Sequence, residues 1–374
     1  MKTFDVIIIG GGLAGLSTAA HLIEKDKNLK VLIFDALEIG QGASGVPGGI
    51  VNPVTGRRAN VLWKAESSMQ MLEQRLNMLS PQSETPLHLE TGVLRPAIDE
   101  ELSKNFRRAI KHGRWPKGWI EWLQPDKTAE KHPYLKKTSG ALFIPRGKVV
   151  QTPAYLQTYQ SYLQKQGITF LTGGPYQLNQ EKQWTLDTGT EIFSAPIAVV
   201  TAGYKSRENK YWTDLPLSAI KGQVAIYECS RPVDMLPVVS AYGYVAPVDR
   251  HRLVVGSTYE HHYQETSPDK QGGDFLDQKL SDLVPDLYAH CKRTDLWSGI
   301  RAATPDRRPL AGNHPAHSSL YVLAGLGSKG LLYSEITGKI LADHLLSHQK
   351  IPKDISLYRF SKYREMREAA REEK

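Results

Sequence analysis

The chain has 374 residues, 40% apolar and 23% charged, with a net charge of +8 at pH 7. That length suits about two domains around a sizeable core, and the composition argues against disorder. No stretch approaches the ~20 apolar residues of a membrane-spanning helix, so no membrane partner is expected. The positive charge favours anionic partners such as nucleic acid or acidic metabolites. The N-terminus, MKTFDVIIIG, lacks the apolar region and cleavage site of a signal peptide. Cys229 and Cys291 lie far apart and form no CxxC. They predict neither a disulfide framework nor a zinc site, and they fit a reducing, cytoplasmic setting.

Residues 4–9, FDVIII, read as a buried parallel strand. Gly10, Gly12 and Gly15 then fit G-x-G-x-x-G. Leu13 and Ala14 open a helix that turns Ala19, Leu22 and Ile23 inward. A second strand, VLIFD, ends at Asp35, twenty residues after Gly15, with Ala36 next. The first glycine makes the tight turn, the second admits a pyrophosphate to the backbone, and the third lets helix and strand pack. The helix N-terminus offers free N–H groups to phosphates. The acid reads a ribose hydroxyl. A glycine turn alone would fit many βαβ units; here every part stands at the spacing of a dinucleotide site.

Residues 40–52, GQGASGVPGGIVN, contain five glycines. This backbone-rich loop suits a pyrophosphate and ribityl chain. Gly42, Ala43, Ser44, Gly49 and Ile50 are assigned to the cofactor, Ser44 as a hydroxyl donor to phosphate. Residues 107–122, RRAIKHGRWPKGWIEW, interleave five Lys/Arg with three Trp. They either grip phosphates and stack bases or form a helix and loop with packed tryptophans. Residues 199–206, VVTAGYKS, end a further strand, with Ala202 and Gly203 abutting the cofactor. Residues 216–256 read as antiparallel strands: IKGQVAIYE, GYVAPV, a turn at DRHR, and LVVGST.

In SGIRAATPDRRPLAG, Arg307 and Arg308 sit in a proline-bounded turn and read as solvated. Arg301 lies in a mostly apolar strand. A buried arginine needs an anionic partner, either a protein acid or a substrate carboxylate held by two hydrogen bonds. Residues 320–330, LYVLAGLGSKG, repeat the glycine pattern at Gly325, Gly327 and Gly330. No second strand ending in an acid follows. The loop is either a packing turn or a helix N-terminus aimed at the pyrimidine edge of a flavin. On the second reading Gly327, Ser328, Lys329, Gly330 and Leu331 touch the cofactor, and both ends of the chain converge on one FAD. Lys329 then neutralises reduced flavin or meets substrate; alternatively it covers the helix with a solvated stem. His261, His262, His314 and His317 have no metal-ligand spacing and are read as non-ligands.

Four stretches, DVIIIGGGLAGLS, QGASGVPGGIVNP, GYVAPVDRHRLVVGST and GIRAATPDRRPLAG with the following LYVLAGLGSKGLLYSEITGKILAD, resemble the FAD-dependent amine oxidase superfamily that includes D-amino acid, glycine and sarcosine oxidases. The resemblance covers nearly the whole chain. Within the superfamily they look most like the C-terminal oxidase half of the bifunctional tRNA wobble-uridine modification proteins. The methyltransferase half is missing here, so the chain reads as the oxidase alone. The resemblance implies an α/β plus antiparallel-sheet fold, with a Rossmann-like FAD-binding domain interwoven with a mostly antiparallel substrate domain. Residues 1–75, 145–215 and 296–374 would form the first, and 76–144 and 216–295 the second.

It also implies that Arg301, in IRAA where relatives read LRP-like, holds a substrate carboxylate with Tyr244 of GYVAP. Lys329 stands where glycine oxidases carry Arg-Asn. No cysteine lies near Arg301, so FAD is expected to bind non-covalently. The expected reaction is oxidation of a carboxylate-bearing primary or secondary amine by hydride transfer to flavin, with hydrolysis of the imine. Molecular oxygen or another acceptor would take the electrons. The alternatives are a carboxymethylaminomethyl uridine in tRNA as substrate, a 2-hydroxy acid dehydrogenase, and a non-catalytic RNA-binding flavoprotein.

Overall fold

The computed structural model describes residues 1–113 and 115–372; Arg114, within the basic stretch 107–122, lies outside them. The architecture rests on two large sheets. The first has six strands in the order Thr169–Thr172, Val31–Asp35, Val6–Ile9, Ile197–Val200, Leu320–Ala324 and Leu310–Asn313. All neighbours are parallel except the last pair. Parallel strands covered on both faces need apolar residues at every position, and Val6–Ile9 is buried throughout. The chain leaves Val6–Ile9 for Val31–Asp35 on one side, while Ile197–Val200 lies on the other. Such a change of direction opens a crevice at the carboxyl ends of the strands.

The second sheet runs Cys291–Ala303, Ser218–Cys229, Arg252–Gly256, Tyr244–Pro247, Val238–Ser240, Val93–Pro96, Ala141–Ile144, Glu121–Leu123. Every pair is antiparallel but Val238–Ser240 with Val93–Pro96. The fold is thus the expected combination: a Rossmann-like α/β unit interwoven with a mostly antiparallel sheet. The boundaries expected at 75 and 295 fall inside single elements, helix Ala65–Leu79 and strand Cys291–Ala303. Among the described residues no helix is long and apolar enough to cross a membrane.

The cysteine expectation is corrected. Cys229 and Cys291 form a disulfide across a separation of 62 residues. Strands Ser218–Cys229 and Cys291–Ala303 pair so that these two residues face each other at the end of the ladder. Spacing in the sequence does not report that register. The argument for a reducing compartment falls with it.

Helices Leu13–Lys25 and Gly330–Ser347 pack closely, because a Cβ at Gly338 would stand 2.6 Å from Ser17 Oγ. Beside this contact the Glu335 carboxylate is sealed from solvent, with 1% of its side chain exposed. Arg75 Nε donates to Glu335 Oε2 at 3.0 Å, His21 Nε2 lies 3.0 Å from the same oxygen, and the Tyr159 hydroxyl donates to Oε1 at 3.0 Å. Glu24 completes the cluster, 2.8 Å from His21 Nδ1 and 2.7 Å from Arg75 Nη1. Burial pushes the Glu335 carboxyl up, but the His21 and Arg75 cations outweigh burial and hold it below the usual range. Burial pulls His21 down, yet its hydrogen bonds and charge contacts with Glu24 and Glu335 raise it overall.

The folded imidazole therefore holds its proton more tightly than the unfolded one. Its contribution is full below pH ~6.5 and fades as pH rises through the raised value. That of Glu335 is present above pH ~4.3 and lost as pH falls through its lowered value. Glu335→Gln should lower the unfolding free energy by about 3–5 kcal/mol, measured by urea titration at pH 6. The penalty of His21→Gln should shrink as the same titration moves above the raised imidazole pKa.

Candidate functional site

A cavity of about 1240 Å³ opens at the carboxyl ends of the parallel strands and runs to the face of the antiparallel sheet. That exceeds the about 300–1,000 Å³ of an ordinary small-molecule pocket, leaving room for a dinucleotide and a substrate. Gly10, Gly12, Leu13 and Ala14 line it from the first strand–helix turn, and Asp35 and Ala36 from the second strand. Gly42, Ala43, Ser44, Gly49 and Ile50 contribute the long loop; Ala202 and Gly203 the next strand end. Gly327, Ser328, Lys329, Gly330 and Leu331 complete the wall between them and the antiparallel sheet. Gly15 alone among the assigned residues is absent from the wall. It stands behind, where a Cβ would overlap the Gly10 carbonyl oxygen.

The glycines are required by space and by backbone. Gly10 has φ +114°, and a Cβ there would lie 2.6 Å from the Thr201 carbonyl carbon. Gly325 and Gly327 also occupy the left-handed region, at φ +72° and +58°. The helices beginning at Leu13 and Gly330 both lack a side-chain N-cap and any acid in the first turn. Their N-termini meet: a Cβ at Gly330 would be 3.0 Å from Leu13 Cδ1. Two positive helix ends therefore face one cavity. Leu13 N–H donates to Ser44 Oγ at 3.1 Å, which leaves the serine hydroxyl proton for a ligand. Asp35 accepts from Gly11 N–H at 2.7 Å and Leu37 N–H at 3.0 Å. Burial raises its carboxyl despite these bonds. Phosphate-binding amides, a carboxylate for ribose hydroxyls and a second helix end for an anionic ring fit FAD.

The substrate end is made by side chains of the antiparallel sheet. Arg301 donates from Nη2 to Ser257 Oγ at 2.7 Å and from Nη1 to the Thr258 carbonyl at 3.4 Å. Its guanidinium lies 5.7 Å from the Tyr259 ring centre. Among the described residues no carboxylate stands within ion-pair distance of Arg301. Burial lowers its pKa, but a guanidinium keeps its charge. Tyr244 lines the same wall, and burial pushes its hydroxyl up to about 12 although Arg301 opposes the shift. It is therefore a neutral donor at ordinary pH. Lys329 lies in the loop that meets the Arg301 strand at Ala302, its pKa lowered by burial and then by Arg307. Ser257, Tyr259 and Trp297 also line this end. Trp297 had a sequence signal, standing four residues before Arg301 and so on the same face of the strand; the two loop residues had none.

The tryptophans of 107–122 are mostly structural. Trp119 is 3% exposed and stacks under Arg146, and Trp122 lies against Gly140. Trp115 is half-buried at a second hollow of about 580 Å³ with Arg58, Arg108 and His112. No cluster of three or more His, Cys, Asp or Glu side chains is placed to hold a metal among the described residues.

A family model described as FAD dependent oxidoreductase matches residues 5–344. The glycine oxidase of Geobacillus kaustophilus (strain HTA426) is 25% identical over 356 residues, covering 91% of this chain and 92% of that protein. The tRNA 5-methylaminomethyl-2-thiouridine biosynthesis bifunctional protein MnmC of Thiobacillus denitrificans is 26% identical over 369 residues, 95% of this chain but 58% of that protein. Among solved structures, the Geobacillus kaustophilus glycine oxidase matches with a TM-score of 0.82 at 24% identity, covering 94% and 96% of the two chains. The L-proline dehydrogenase of P. horikoshii also reaches 0.82, at 17% identity over 96% and 98%. At those identities the structural likeness is one of fold.

Gly15→Ala should force helix Leu13–Lys25 away from the first strand and cost about 1–3 kcal/mol. Purified protein should carry less bound cofactor by absorbance and melt earlier. Gly12→Ala, whose Cβ would stand 2.8 Å from Ser44 Oγ, should melt closer to the parent than Gly15→Ala yet still lose cofactor, because its methyl occupies the approach of the pyrophosphate.

Proposed function

The chain belongs to the FAD dependent oxidoreductase family, and on that premise we propose that its substrate is a small amine bearing a carboxylate, such as glycine, sarcosine or a D-amino acid. The observation that carries this is Arg301: a charged guanidinium on the cavity wall, half-buried, its hydrogen-bond partners among the described residues neutral and its nearest acid, Glu260, acting only at longer range. A desolvated cation without an ion-pair partner is costly, and a substrate carboxylate supplies one. Planar guanidinium and carboxylate meet through two parallel hydrogen bonds, which set orientation as well as affinity. Tyr244, held neutral, adds a donor beside them. The amine and its α-carbon then point away from this wall, toward the glycine loops. Bound FAD supplies the acceptor for the hydride leaving that carbon, and the imine left behind hydrolyses in water. Arg301 and Tyr244 act by holding the reacting carbon in place. Lys329, beside the second helix N-terminus, adds positive charge where an anionic ring would lie.

A second reading places the carboxylated amine on a tRNA. It is supported by the name of the bifunctional relative and by the hollow of Arg58, Arg108, His112 and Trp115, which joins cations to a ring. Anaerobic bleaching of the flavin separates the readings. Glycine, sarcosine or a D-amino acid should bleach it within the turnover time. Bleaching only by tRNA bearing carboxymethylaminomethyl uridine would favour the second reading, and bleaching only by 2-hydroxy acids would defeat both. Arg301→Ala should raise KM about tenfold to a hundredfold while changing kcat less; an unchanged KM would remove Arg301 from the site. Among the described residues no cysteine or histidine lines the cavity, so acid precipitation should leave all FAD in the supernatant.

A further inference from the structure

We propose that Gly222 is a positioning residue for the carboxylate site: its bare Cα is the shelf on which the Arg301 guanidinium lies. The proposal rests on the carboxylate-binding reading of Arg301. Gly222 sits inside strand Ser218–Cys229, directly opposite Gly299, while Arg301 pairs with Ile220 one step along the same face. The Arg301 stem rises there and folds back across Gly222. A Cβ at 222 would overlap Nη2, Cζ and Nη1 of Arg301, its three nearest neighbours.

Nothing in the backbone calls for glycine at this position. Gly222 lies outside the left-handed region in which several other glycines of this chain fall. Glycine weakens a strand interior and often marks a site of close approach. Here the close approach is to a charged side chain. Two other glycines of the sheet serve neighbouring wall residues: a Cβ at Gly299 would overlap the Trp297 ring, and one at Gly256 would lie 2.5 Å from Tyr244 Cζ. Of the three, only Gly222 lies under a cation.

The residues flanking Gly222 hold the roof. Lys221 Nζ lies 2.8 Å from Asp269 Oδ2 and 3.6 Å from Glu260 Oε2. Gln223 Nε2 donates to Asp269 at 2.8 Å and to Glu260 at 3.0 Å, and Gln223 N–H donates to Thr258 Oγ1 at 2.8 Å. These bonds fasten the segment whose Ser257 hydroxyl and Thr258 carbonyl accept from Arg301. The guanidinium is therefore set between a glycine floor and a tethered loop, with its remaining N–H groups available to the cavity. A methyl group at 222 lifts it from the floor and spoils the two-bond geometry a carboxylate needs.

The test uses the FAD-loaded full chain, with glycine and sarcosine as substrates and acetate as a carboxylate probe read by flavin absorbance. Gly222→Ala should weaken acetate binding and raise KM about tenfold or more, with kcat falling by less. Added to Arg301→Ala, it should cause no further loss, and the double variant should melt with the single one, because the overlapped group is gone. Wild-type acetate affinity and KM in Gly222→Ala, beside a defective Arg301→Ala, would overturn the shelf alone. So would a Gly222→Ala defect or loss of folding that persists in the Arg301→Ala background. If Arg301→Ala itself binds acetate and substrate like wild type, the carboxylate reading fails first, and the shelf with it.

Discussion

A carboxylate removed from water destabilises a protein by several kcal/mol unless donors surround it, and Glu335 is surrounded from three helices besides its own. His21 comes from Leu13–Lys25, Arg75 from Ala65–Leu79, and Tyr155 and Tyr159 from Thr152–Lys165. None of these segments is adjacent to another in sequence. Together they fix the first and last long helices side by side, with Gly338 against Ser17 setting the distance. Because both helices begin at glycine turns on the same sheet edge, fixing their bodies fixes their N-termini. The cavity follows from that alignment.

The two sheets then contribute different chemistry to one space. The parallel sheet presents mostly backbone: amides at two helix starts, glycines at strand ends, and the Asp35 carboxylate. Backbone suits a cofactor whose phosphates and ring are invariant. The antiparallel sheet presents side chains on alternate residues: Trp297, Arg301 and, across the ladder, Tyr244. Side chains suit a substrate, because each can be exchanged without moving the scaffold.

Much of this was legible in the sequence, and the reason is local. The glycine turns, the acid twenty residues on, and the strand runs of 216–256 depend on conformational preferences a few residues wide. Arg301 stood out because a charged residue interrupted an apolar strand. What the sequence concealed depends on register and on contacts across long separations. The Cys229–Cys291 bridge is decided by how two strands pair. The Glu335 cluster joins residues up to 314 positions apart. The tryptophans of 107–122 could be counted but not oriented, and only the packed structure shows Trp119 and Trp122 facing inward. Gly222 looks like any strand glycine until Arg301 is placed above it.

The pairing of helices Leu13–Lys25 and Gly330–Ser347 has a consequence for the order in which the fold assembles. The first glycine turn joins Val6–Ile9 to Leu13–Lys25, yet its neighbour in the sheet, Ile197–Val200, and the helix that completes the cavity, Gly330–Ser347, come much later in the sequence. Contacts of such long range are slow to form, since the intervening chain must be organised before they close. Helix Thr152–Lys165 and strand Ile197–Val200 can cover helix Leu13–Lys25 and strand Val6–Ile9 first, but the face that meets Gly330–Ser347 stays open until that helix has formed. The cavity is thus completed late, by the contact of Gly338 with Ser17.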